Sequence, residues 1–233
     1  LKEDSTSPRR PVQGMPFPSA FWGLDFWMAW IMNLTVFGSC VGTNQNMALI
    51  LESAGHAAAS SMGVALFALT SSLCRVFSGV LSDKYNHVFN RFNWLTLSTA
   101  CSVLGQLLMS QMGFSSIMLG GTLMGCSLGI NATCMVPALN EMYGALDFGK
   151  ILGAHLSSQA LGSFLISFQL LPDVYSRAAG GHRICRGSVC FRTSFLLLAV
   201  SNFLGLLAAV TLQIRNRSSM PRTRLKSDSE EVL

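Results

Sequence analysis

Charged residues are almost absent from several windows of about twenty residues, the length that carries a helix across a hydrocarbon core roughly 30 Å thick. No other feature constrains the fold as much. In lipid every backbone N–H and C=O group must be satisfied within its own segment, and runs this long are helices rather than barrel strands. Six windows are bounded by charges and turn-forming residues: Phe21 to Gly42, Ala57 to Leu81, Phe92 to Gln111, Phe114 to Pro137, Phe148 to Leu171 and Phe191 to Ile214. The composition agrees, because only 12% of the 233 residues are charged, against about 25% in soluble domains. The expected organisation is a cytoplasmic linker over residues 1–20, a six-helix transmembrane bundle over 21–214 and a cytoplasmic tail over 215–233. The opening LKEDSTSPRRP is polar, carries proline and lacks an initiator Met, so it reads as a linker inside a longer protein.

Lys and Arg set the expected orientation. Lys2, Arg9, Arg10, Lys84, Arg91, Lys150, Arg215, Arg217, Arg222, Arg224 and Lys226 fall on one side, and Arg177, Arg183, Arg186 and Arg192 on the other. The excess belongs on the cytoplasmic side, which places both ends there. The four arginines of the last loop run against this trend. That loop also holds Cys185 and Cys190, which form a disulfide if it faces an oxidising compartment and are two free thiols if it does not. Cys40, Cys74, Cys101, Cys126 and Cys134 lie inside windows and read as small packing residues. The basic residues are spread over loops and ends without interleaved aromatics, which points to juxtamembrane placement and not to nucleic acid.

Enzyme chemistry finds no motif here. His56, His87, His155 and His182 have no metal-ligand spacing, and neither a G-x-S-x-G elbow nor a Walker-type glycine loop occurs. No catalytic residue, metal or cofactor is therefore expected. Gly121, Gly125 and Gly129 recur every fourth residue and read as a helix-packing stripe, with direct substrate contact the less favoured reading. Polar side chains inside spans are costly and need explaining. His155, Gln159, Gly162 and Gln169 share one helical face, and so do Asn33 and Asn44; Asn131 lies late in the fourth window. Each amide suits either an interhelical hydrogen bond or a substrate contact.

Arg75 to Arg91, RVFSGVLSDKYNHVFNR, closes the second window, turns and opens the third. Within it Gly79-Val-Leu-Ser-Asp-Lys84 resembles the G-x-L-x-D-R/K signature of the major facilitator superfamily. Further stretches sharpen the likeness: Asp25-Phe-Trp, Asn46 with His56 in an ESAGH segment, Asn140-Glu-Met-Tyr-Gly144 with Asp147-Phe-Gly149, and Cys185-Arg-Gly-Ser-Val-Cys-Phe-Arg192. In order and spacing they resemble the C-terminal half of nodulin-like major facilitator proteins. The glycine-rich run usual before the Asn46 position is thinned here to Gly38 and Gly42, and Ala48-Leu49 replaces the following Gly-Gln.

The resemblance implies an all-α membrane fold, six transmembrane helices forming one half of a twelve-helix transporter. Its partners would be the N-terminal six-helix half, the lipid bilayer and a small polar solute such as an organic anion, moved with protons or by facilitation. It also implies substrate contacts from Asn33, Asn46, Asn131, His155 and Gln159, and a gating motif made of Arg75, Gly79, Asp83, Lys84 and Arg91. Physically, Ser78 and Gly79 admit a close helix, while Asp83 pairs with a cation or a helix N-terminus in one state and releases it in the other. The rival reading is a transport-inactive receptor or assembly scaffold of the same fold, in which the polar residues serve only packing.

Overall fold

A computed structural model describes residues 14–85, 89–180, 185, 187 and 189–219. Most of the expected linker, the last part of the tail and His87 and His182 lie outside the described residues. Within them the chain is helical and contains no strand: α1 (Phe17–Phe21), α2 (Leu24–Gln45), α3 (Met47–Ser53), a 3₁₀ turn (Ala57–Ala59), α4 (Ser60–Lys84), α5 (Arg91–Met109), α6 (Phe114–Tyr143), α7 (Phe148–Phe164), a π turn (Leu165–Leu170), α8 (Leu171–Ala179) and α9 (Val189–Ser219). The stops follow local chemistry. Gly144 ends α6 at φ 71° and Gly180 ends α8 at φ 56°, left-handed conformations that a side chain disfavours.

Among the described residues five helices are long and apolar enough to cross a membrane: Leu24–Gln45, Ala57–Lys84, Phe114–Tyr143, Phe148–Ala179 and Cys190–Asn216. They fit a multi-pass membrane protein. The expected third span does fold as a helix, α5, but falls outside this set. Asn93, Thr96, Ser98, Thr99, Ser102 and Gln106 dilute its hydropathy, and the last four are buried against neighbouring helices.

The centre of the bundle is α6, which packs along α4, α5 and α2; 61% of its most apolar stretch is buried, against 17% for α4 at the edge. The most extensive pairings among the six long helices are α5–α6, α4–α6, α5–α9, α2–α7, α2–α9 and α2–α6. Exchanging α2, α4 and α5 with α6, α7 and α9 turns α2–α7 into α6–α4 and α5–α6 into α9–α2. The other two pairings map onto themselves, so the six form a closed set.

Small residues make the closest approaches. A Cβ on Gly38 would stand 2.6 Å from the Gly162 carbonyl carbon, which lets α2 and α7 cross nearly backbone to backbone. Polar side chains fill the interior where α2, α5, α6 and α9 meet. Asn202 donates to Ser39 at 2.9 Å, Ser98 and Ser127 each donate to the other's carbonyl at 2.8 Å, and Gln106 donates to Thr43 at 3.3 Å.

Candidate functional site

The stretch from Arg75 to Arg91 separates into two parts once folded. At the end of the bundle where α4 stops, α5 starts and α6 stops, Arg91 reaches two acids. Its Nη2 lies 2.8 Å from Asp83 Oδ1 and its Nε 3.2 Å from Glu141 Oε1. One guanidinium thus ties three helix ends together. Arg91 is 17% exposed and Asp83 73%, so water weakens the Asp83 arm and the sheltered Arg91 supplies the geometry. Lys84 takes no part in this cluster; its Nζ lies 5.6 Å from the ring centroid of Tyr85. Gly79 faces α6, where a Cβ would meet the Thr133 methyl at 3.3 Å. Glu141, the third member, sits in the Asn140-Glu-Met-Tyr motif, and sequence reading assigned it no role.

Arg75 stands apart from the cluster. It is exposed and makes no ion pair with any described residue, and it lies nine residues before Lys84, about 13 Å back along the axis. Its surroundings on α4 are distinctive. Ser61, Ala65, Ala68, Ser72, Arg75 and Gly79 fall within a sector of about 80° at 100° per residue. Apart from Arg75, that strip is made of serine, alanine and glycine. Beside it Met62, Leu69, Leu73, Val76, Phe77 and Val80 make a bulky, exposed apolar face of the kind that suits lipid. The remaining side of α4, with Gly63, Phe67, Ser71, Ser78 and Ser82, is buried.

The glycine stripe lies on this buried side. A Cβ on Gly125 would stand 2.6 Å from the Phe67 carbonyl, and one on Gly129 would meet the Ser71 carbonyl and stand 3.0 Å from the Arg75 nitrogen; Gly121 faces Met47 instead. The same crossing joins Cys74 to Cys126, two residues that sequence reading treats as separate packing residues. Cys185 and Cys190 are also paired, with Cα atoms 5.9 Å apart.

The five expected substrate contacts do not converge on one place. Asn33 is fully buried on α2 and donates to Ser158 Oγ at 2.9 Å, while its Oδ1 has no partner among the described residues. His155 is 1% exposed, with its ring 4.6 Å from that of Phe26 and neither ring nitrogen bonded to any described residue. These two lie on facing sides of the α2–α7 contact. Asn131 is buried on α6, and neither end of its amide finds a partner among the described residues. Asn46 sits at the α2–α3 junction and donates to the Gly42 carbonyl at 2.9 Å. Gln159 is half-buried and Gln169 exposed. The shared face expected of His155, Gln159 and Gln169 breaks because the π turn at Leu165–Leu170 changes the helical phase before Gln169.

Four further contacts hold the same end of the bundle as Arg91. Arg215 on α9 reaches Asp25 at the start of α2, 2.6 Å away. Asp147, before α7, accepts from the Phe17 amide and from Lys150, both at 2.9 Å, while the Met15 amide donates to the Tyr143 carbonyl at 2.8 Å. The segment from Met15 to Phe21 is thereby strapped onto the α6–α7 turn. The Phe17 amide and Lys150 hold the Asp147 carboxyl below the usual carboxylate range. No protein-family model matches the sequence, and no curated protein matches it.

Proposed function

We propose that this chain is the second half of a major facilitator type transporter, resembling the nodulin-like proteins, which moves a small organic anion by alternating access. Its six helices include α5 as the third span, and both ends face the cytoplasm. The observation that carries the reading is Arg75: a cation inside a span, without an ionic partner among the described residues, on a strip of small residues beside a bulky apolar face. An ionisable group at such a depth is expensive unless it faces a watery path or a partner, and a guanidinium fork matches a carboxylate. The cluster of Asp83, Arg91 and Glu141 supports the gating part, because it joins three helix ends and its Asp83 arm is exposed enough to break. The closed set of six pairings supports a bundle of two three-helix repeats, the architecture on which alternating access by rocking halves is built.

The scaffold reading has one observation in its favour, since Asn33 spends its amide on Ser158, as packing glue would. Ligand binding separates the two. In the natural full-length protein, thermal stability should rise with millimolar concentrations of a small carboxylate drawn from a panel. Arg75→Gln should weaken that response about tenfold to a hundredfold, the worth of a charged hydrogen bond. A panel that leaves the wild-type midpoint unmoved supports the scaffold, and a response unchanged in Arg75→Gln removes Arg75 from the site.

A further inference from the structure

The α4–α6 crossing carries a feature that neither the ionic cluster nor the anion-binding strip uses. Cys74 and Cys126 form a disulfide between two spans, with Cα atoms 5.3 Å apart, inside the roughly 4.4–6.8 Å that such a bond bridges without backbone movement. The closeness comes from the glycines. Gly129 lies against Cys74 itself, where a Cβ would stand 3.0 Å from the Cys74 Cβ, and Gly125 lies against the Phe67 carbonyl.

Of the five helices long and apolar enough to cross a membrane, α4 buries the smallest share of its most apolar stretch, 17%. Its one extensive helix partner is α6, and apart from Phe67 the side chains it buries are glycine and serine. Between helices in lipid there is no hydrophobic drive to make up the difference. The polar contacts that accompany the packing are few and weak: Thr133 on α6 donates to the Arg75 carbonyl at 3.4 Å, and the Cys134 thiol on α6 pairs with Ser78 and Ser82 on α4.

We propose that Cys74–Cys126 is a permanent covalent tether of the peripheral helix α4 to the central helix α6, closed while the chain is being inserted and shielded from water-borne reductants afterwards. Closure needs thiolates, which form in water and not in an apolar interior. A small disulfide of the glutathione type supplies the oxidant. The Cys74 thiolate attacks one of its sulfurs and expels one thiolate; the Cys126 thiolate then attacks the Cys74 sulfur of the mixed disulfide and expels the second. Two protons and two electrons leave the cysteine pair, and the reagent departs as two thiols. The Cys185–Cys190 bond is independent support, since a second disulfide in the same chain indicates maturation where thiols are oxidised. Both Cys74 and Cys126 are half-buried on helices apolar enough to cross a membrane, and the proposed shielding follows once lipid covers what the protein leaves open.

The test is peptide mapping of the protein in proteoliposomes. Unfolding in detergent with a maleimide and no reductant should label Cys40, Cys101 and Cys134, which are free, and leave Cys74 and Cys126 in one cross-linked species. Prior treatment of the folded protein with a charged, impermeant phosphine should leave that species intact, whereas the same reagent after unfolding should open it. Cys74→Ser, Cys126→Ser and the double variant should share one lowered thermal midpoint, because each removes the same bond. Labelling of Cys74 and Cys126 without reductant overturns the tether. Opening in the folded protein overturns the shielding, and drops that add in the double variant overturn the covalent coupling. Should the variants fail to fold, the wild-type mapping still decides.

Discussion

Arg91 and Arg75 bound one short stretch of sequence and do different work in the fold. Arg91 holds Asp83 and Glu141, so Arg91→Gln removes both contacts at once. Because Asp83 is mostly exposed, the stability cost should be small, about 1 kcal/mol or less. Transport should fall much further, and Asp83→Asn should slow it in the same way at normal abundance. Uptake measured beside surface abundance checks both, and unaltered uptake returns Asp83 to an ordinary charged turn. Asp147 gives a prediction in pH. A carboxyl held low in the folded state contributes stability that is present above its unfolded value and lost as pH falls through the folded one. The strap from Met15 to Phe21 should therefore stay protected from proteolysis at neutral pH and loosen only in acid below the ordinary carboxylate range. Asp147→Ala should loosen it at every pH, and equal protection in the variant would show that the Asp147 contact does not hold the strap.

At the scale of elements, the close α4–α6 crossing sets what can be changed. Gly129→Leu puts a side chain into the Ser71 carbonyl and the Arg75 nitrogen, so α4 has to move away. The expected outcome is a loss of about 1–3 kcal/mol or more, together with less of the Cys74–Cys126 link. Normal linkage and normal stability in that variant would contradict the described crossing. Much of this scale is legible in sequence, because charge gaps report lipid directly and mark where helices run. The stretch from Phe92 to Gln111 reads as a span on the same grounds, yet the serines, threonines and Gln106 that α5 turns inward make it the least apolar of the six. Other features lie beyond such reading. A π turn has no composition of its own, and it moves Gln169 off the face of His155. Glu141 is fifty residues from Arg91, and Cys126 is 52 from Cys74, so only the packing of α4, α5 and α6 brings them together. His155 is polar inside a span, which marks it as unusual but does not tell a cavity from a helix contact; the fold sets it against Phe26.

For the whole molecule, the proposed reading as one half of an alternating-access carrier rests on the closed set of helix pairings, the ionic bridge at one end and Arg75 on the outer strip of α4, which has no ion-pair partner among the described residues. A half of this kind leaves the strip on α4 uncovered, so the chain produced alone should self-associate in detergent or fail to stay monodisperse, and light scattering would show it. A stable, well-behaved monomer would mean that the strip needs no cover. The measurement that bears most directly on the central claim is counterflow in proteoliposomes holding the natural full-length protein. Vesicles are loaded with an unlabelled small carboxylate and given a trace of the labelled one outside. Alternating access predicts transient accumulation of label above equilibrium, abolished or strongly reduced by Arg75→Gln. Label that never exceeds equilibrium with any member of the carboxylate panel, while the protein is folded and correctly inserted, would contradict the account.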